Sequence, residues 1–118
     1  MDFIVVTLNY VPGKKIVKNF GSTFGIVVRS RGLGGNIVAG LRSLFGGEIK
    51  EYSEMLSQAR EHAIERMVEN AKALGANAVV DMRFDSSDIG KTMTEVVAYG
   101  TAVFVEEDNS KPGSVSLR

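Results

Sequence analysis

The sequence predicts an α+β domain with the element order β-β-α-α-β-β, and three observations predict it. A stripe of apolar side chains at three- and four-residue spacing runs through residues 51–74, the period of a helix with one buried face. The stripe ends at Leu74-Gly75-Ala76-Asn77-Ala78-Val79-Val80, where a helix C-terminus passes into an apolar run with almost no loop. β-Branched and aromatic runs stand at both ends of the chain, at residues 3–8 and 94–105. Together they give an antiparallel sheet of hairpins with one long helix packed over a face.

Residues 3–8 (Phe-Ile-Val-Val-Thr-Leu) are the first predicted strand, and Pro12-Gly13 is the turn after it. Residues 14–29 form the second, with Ile16, Val17, Phe20, Phe24, Ile26, Val27 and Val28 as its apolar content. Gly21 and Gly25 inside it signal a bulge or a close backbone approach. The glycine-rich break Arg31-Gly32-Leu33-Gly34-Gly35-Asn36 opens a short helix over residues 37–45, where Ile37, Val38, Leu41, Leu44 and Phe45 have helical spacing. Asn36 suits its N-cap and Gly46-Gly47 its stop.

In the long helix, Tyr52, Leu56, Ala59, Ala63, Met67, Ala71 and Leu74 make the stripe, widened by Ile64 and Val68. Glu51 and Glu54 in the first turn and Lys72 in the last complement the helix dipole. Residues 76–84 are the third strand. Ala78, Val80, Met82 and Phe84 are expected on one face, and Val79, Asp81, Arg83 and Asp85 on the other. A polar turn over residues 86–92 leads to the last strand. Its Val97, Tyr99, Val103 and Val105 alternate with Val96, Ala98, Ala102 and Phe104, so both faces are apolar. Such a strand is central in its sheet or covered by a partner. One helix layer leaves the second face bare, so the chain is expected to form a homo-oligomer.

The 118 residues suit a single domain, residues 1–106, followed by a flexible tail at 107–118. A chain of this size buries enough surface to fold without a metal or a disulfide. With no cysteine, disulfides, thiolate metal sites and cysteine nucleophiles are excluded. Asp2 interrupts the N-terminus, the apolar run behind it is too short for a signal peptide, and nothing approaches a membrane span, so a cytoplasmic protein is expected. Net charge is zero but uneven: residues 1–47 carry six basic groups against one acid, and residues 48–118 carry eight against thirteen. The plain reading is that solvated faces differ in sign; the sharper one is that the basic half of one subunit meets the acidic half of its neighbour. Neutral overall balance disfavours nucleic acid as a partner.

Gly46-Gly47-Glu48, Tyr52, Ala59-Arg60, Ala63, Ala71, Leu74-Gly75-Ala76-Asn77-Ala78-Val79-Val80 and Gly100-Thr101-Ala102-Val103 resemble, as an ordered set, the YbjQ family of small bacterial and archaeal proteins. The resemblance spans nearly the whole chain. Members are described as functionally uncharacterised or are labelled for heavy-metal binding. The resemblance implies an α+β subunit that assembles into a ring-shaped homo-oligomer, typically a pentamer, and it carries over no catalytic residues. One departure stands out: Asp81 follows Ala78-Val79-Val80 where the family pattern commonly has Gly.

Two sets of residues are candidate sites. Arg29, Arg31, Gly32, Gly34, Gly35 and Asn36 follow a strand and open a helix, so backbone N–H groups and two guanidiniums could hold an anion. This is no dinucleotide fingerprint, because Ile37 stands where the third Gly belongs, and no P-loop Gly-Lys-Ser/Thr is present. The alternative for the same residues is a tight turn that lets the short helix pack on a neighbour. A metal ion is the second possibility: Asp81, Asp85, Asp88 and Glu95 could offer hard oxygens to calcium or magnesium, and His62, the single histidine, could act only if symmetry repeated it. A solvated, Arg83-paired face and a surface histidine are the plainer readings. Tyr52, Tyr99 and Arg60 could frame a pocket between helix and sheet, though such residues more often serve the core. No serine or threonine has a plausible His partner, so catalysis has little support. The expectation is a non-enzymatic, ring-forming binding module with a small ligand at subunit interfaces. A metal-binding protein and an enzyme with an interface active site are the alternatives.

Overall fold

Four strands and one helix make up residues 2–30 and 50–109, the part of the chain that the computed structural model describes. In chain order they are β1 (Ile4–Val5), β2 (Lys14–Ser30), α1 (Lys50–Leu74), β3 (Ala78–Ile89) and β4 (Met93–Glu107). The expected short helix at 37–45, the glycine-rich break from Arg31 to Asn36 and the tail from residue 110 lie outside the described residues.

The sheet order is β1-β3-β4-β2. β2 and β3 both flank β4 antiparallel, but β1 pairs parallel with β3 (Ile4 with Ala78, Val5 with Val79). The sheet is therefore mixed, and the expected all-antiparallel arrangement is corrected. β1 and β2 do not form a hairpin; they lie at opposite edges, so the chain between them must cross the sheet. It crosses the face away from α1. Val11, 5% exposed, packs there with Ala78, Val80, Val103 and Val105, joined by Ile4 and Val6.

β1 is also shorter than expected. Its ladder breaks where β3 bulges: Val80 faces Thr101 and Arg83 faces Tyr99, so Asp81 and Met82 together oppose Gly100 alone. Asp81 has φ of 56°, the left-handed region. Its N–H donates to Leu8 O (2.8 Å) and Met82 N–H to Val6 O (3.1 Å), so residues 6–8 follow the bulge instead of a regular ladder. The extra residue overturns the expected face assignment. Val79, Met82 and Phe84 pack on the helix side, while Ala78 and Val80 face away. The strand also runs on to Ile89. The expected polar turn at 86–92 shrinks to Gly90-Lys91-Thr92, with Gly90 at φ 63°.

α1 lies across β2, β4 and part of β3. Ala59, Ala63, Met67 and Ala71 form a ridge at four-residue spacing, each no more than 1% exposed. Small side chains bring the helix very close to β2. At Gly25 a Cβ would stand 2.2 Å from Ala63 O and 2.5 Å from Met67 N, so this glycine is the contact point of helix on strand. Beside it the buried Thr23 hydroxyl donates to Met67 O (3.0 Å). Leu74, expected in the stripe, is 47% exposed instead. The helix ends as its sequence predicts. Gly75 at φ 98° donates to Lys72 O, and Ala76 N–H reaches back to Ala71 O, a Schellman stop. Asn77 then pairs with β4 through its side chain: its amide donates to Val105 O (2.9 Å) and its Oδ1 accepts from Val105 N–H (2.8 Å).

Candidate functional site

The register places chemistry at the far end of the helix-side face. There Arg29 of β2 stands opposite Thr94 of β4, which stands opposite Asp88 of β3, in one row across the sheet. Strand alternation makes these the continuation of the buried Val27 and Val96. Above the row lies the first half of α1. Met55, Leu56 and Arg60 of the helix and Ser86, Ser87, Asp88 and Thr94 of the hairpin line a cavity of about 330 Å³. The Thr94 hydroxyl donates to Asp88 Oδ1 (3.3 Å). The Arg60 guanidinium lies 5.0 Å from the Phe84 ring centroid, a cation–π contact.

Two residues that belong to separate sequence hypotheses meet beside this cavity. Arg29, from the anion set, directs Nη2 at Nδ1 of His62, from the metal set. A guanidinium is always a donor, so Nδ1 is the acceptor in this pairing. Arg29 Nε is buried with no hydrogen-bond partner among the described residues. His62 begins a polar column at four-residue spacing. Arg66 Nη1 donates to Ile26 O (2.6 Å) and Asn70 Nδ2 to Phe24 O (2.7 Å). Side chains of the helix thus occupy carbonyls of β2, the outermost strand on this side of the sheet, which blunts it against strand addition. The signal for this was present as His62, Arg66 and Asn70 beside the alanine ridge. A polar stripe beside an apolar one reads equally as a solvated helix face.

The metal candidates do not converge. Asp85 faces Val97 and Glu95 faces Ser87, which makes them diagonal neighbours on the outer face of the sheet. His62 belongs to the helix on the opposite side, and Asp81 sits in the bulge. Among the described residues no group of three or more His, Asp or Glu side chains could hold a metal ion. Of the pocket triad, Arg60 lines the cavity, Tyr99 lies on the outer face, and the Tyr52 side chain is outside the described residues. Arg31, Gly32, Gly34, Gly35 and Asn36 also lie outside them.

The outer face is divided. Its lower half is closed by the crossing segment around Val11. Its upper half is open, with rows Phe24–Tyr99–Arg83 and Ile26–Val97–Asp85 followed by Val28–Glu95–Ser87. Phe24 is 52% exposed, Val28 48%, Tyr99 43% and Ile26 41%. Arg83 turns back toward the crossing segment and donates to Thr7 O (3.0 Å).

Residues 3–106 match the model of the YbjQ family, whose description is "Putative heavy-metal-binding". The chain belongs to this family. A UPF0145 protein of Thermoplasma acidophilum is 67% identical over 106 residues, which cover 90% of this chain and 89% of that protein. A UPF0145 protein of Thermoplasma volcanium is 64% identical over 116 residues, covering 98% and 95%. One from Bradyrhizobium sp. is 59% identical over 105 residues, covering 89% and 95%. Among solved structures, the chain is similar to a protein of unknown function from Pediococcus pentosaceus that belongs to the DUF74 family. The TM-score is 0.63 at 11% identity, covering 88% of this chain and 98% of that one. At that identity the likeness is one of fold.

The heavy-metal description of the YbjQ family finds no converging cluster of His, Asp or Glu donors among the described residues. Soft metals take thiolate and imidazole; this chain has no cysteine and one histidine, whose Nδ1 already accepts from a guanidinium. No helix among the described residues is long and apolar enough to cross a membrane.

Proposed function

We propose that the chain works in the cytoplasm as a non-catalytic binding module, a homo-oligomer with a small ligand held at the Arg29–Arg60 end of the helix-side face. The uncovered half of the outer face carries the assembly. Phe24, Ile26, Val28, Val97, Tyr99 and Met93 together offer roughly 500 Å² of side-chain surface, at the upper end of what a monomer leaves in one patch. Burying it at about 25 cal/mol per Å² is a driving force on the order of 10 kcal/mol before the cost of association is subtracted.

The ring, with five subunits as the YbjQ resemblance implies, is the form of this oligomer. A head-to-tail contact repeated about an axis covers the same face in every copy. The opposite charge of the first 47 residues and the remainder suits such a contact. In such a ring the ligand cavity stands close to the subunit boundary.

Sedimentation velocity on the wild type and on a Phe24→Glu, Ile26→Glu double variant tests the assembly. The expected result is a single closed oligomer for the wild type and a folded monomer, judged by circular dichroism, for the variant. A wild type that is monomeric at micromolar concentration overturns it.

A further inference from the structure

The geometry points to a small monocarboxylate with an aliphatic body, about ten non-hydrogen atoms in all, as the ligand class of the cavity between α1 and the β3–β4 hairpin. This inference rests on the proposed reading of that cavity as the ligand site. Four observations support the ligand class.

Arg60 makes no hydrogen bond or ion pair among the described residues, although it lines a concave site. The contact with the Phe84 ring, 5.0 Å from guanidinium to centroid, engages none of its N–H donors. An uncommitted guanidinium suits bidentate contact with a carboxylate.

Charge limits the anion to one unit. Asp88 shares the lining with Arg60. A phosphate dianion would meet one guanidinium among the described lining residues and be repelled by Asp88 more strongly than a single carboxylate is.

Met55 and Leu56 give the remaining wall an apolar character that a fully polar ion would leave unused. Side chains of this kind bury an aliphatic chain. Ser86 and Thr94 supply hydroxyls at the hairpin side, which tolerate a polar substituent on that chain.

Size sets the upper bound. A cavity of about 330 Å³ holds the volume of roughly ten water molecules, which is the bulk of an eight-carbon acid.

The test is a methyl-NMR titration of the full-length protein with octanoate, octanamide and octylamine, molecules of one size and three charges. The expected result is saturable shifts at Met55 and Leu56 with octanoate, and binding about tenfold weaker for octanamide. Arg60→Met, which keeps the stem and removes the charge, should weaken octanoate to the octanamide level, and Arg60→Lys should restore part of the loss. If octanamide or octylamine binds as tightly as octanoate, or Arg60→Met is without effect, the carboxylate inference fails while the cavity remains a ligand site. If none of the three saturates Met55 and Leu56, or shifts appear only at Ile26 and Val97 on the outer face, the cavity reading fails with it.

Discussion

Gly25 is where helix and sheet touch, and replacing it by Ala measures that contact. The added Cβ would lie 2.2 Å from Ala63 O, 2.5 Å from Met67 N and 2.8 Å from Arg66 Cβ. Two of these atoms are helix backbone and cannot rotate away, so α1 must lift by about 1 Å to restore an ordinary contact. Lifting it stretches the Thr23–Met67 hydrogen bond from 3.0 Å beyond useful range, a loss of about 1 kcal/mol. It also loosens the ridge of Ala59, Ala63, Met67 and Ala71, for about 2 kcal/mol more by the usual cost of overpacking. The stiffer unfolded chain offsets less than 1 kcal/mol of this. The expected destabilisation is therefore about 2–3 kcal/mol, or roughly 10 °C in Tm. Gly21 is the control. Its φ is 90°, but a Cβ there meets nothing within 4 Å, so Gly21→Ala loses only about 1–2 kcal/mol of backbone strain. Urea unfolding followed by far-UV circular dichroism gives both numbers. A Gly25→Ala protein within about 0.5 kcal/mol of wild type would refute the packing argument, as would a Gly21→Ala variant that is the worse of the two.

Asp81→Gly should stabilise the chain by about 0.5–1 kcal/mol in the same assay, because Gly adopts the left-handed conformation at φ 56° without a Cβ penalty; a loss of stability would mean that the Asp81 side chain supports the bulge. Asn77→Ala removes both hydrogen bonds to the Val105 backbone and leaves part-buried peptide groups unpaired, for an expected cost of about 2 kcal/mol, read as a lowered urea midpoint. Asn70→Leu uncovers the Phe24 carbonyl. It should cost about 1 kcal/mol and raise the rate of thioflavin-positive aggregation on mild heating, an outcome that light scattering checks independently.

The elements that local chemistry dictates were legible in the sequence. Leu74-Gly75 specified the helix stop through glycine's access to positive φ, and the stripe from Ala59 to Ala71 specified the buried face. The two apolar faces of β4 also announced two packing layers. What period-two reading missed was the inserted residue at Asp81, because alternation assumes that every residue has an opposite number. The parallel placement of β1 was hidden for another reason. It depends on the crossing segment around Val11 finding an apolar bed on Ala78, Val80, Val103 and Val105, a contact between distant stretches. The site was least legible. Arg29 and His62 are 33 residues apart and each had a sufficient explanation alone; only the α1–β2 packing set by Gly25 and Thr23 brings them together. Arg60 was noted as a pocket residue, but its companions Ser86, Ser87 and Asp88 fell in what read as a turn.

The bulge at Asp81 acts as a parity switch in β3. Before it, even-numbered Ala78 and Val80 serve the layer under Val11; after it, even-numbered Met82 and Phe84 serve the layer under α1. One strand thereby contributes to both layers in turn, and each half has apolar residues where it needs them. Pairing Asp81 as an ordinary strand residue, with no bulge, would do more than straighten the strand. Alternation would then turn the outer half over, drive Arg83 and Asp85 beneath the helix, and remove the Phe84 ring from under Arg60.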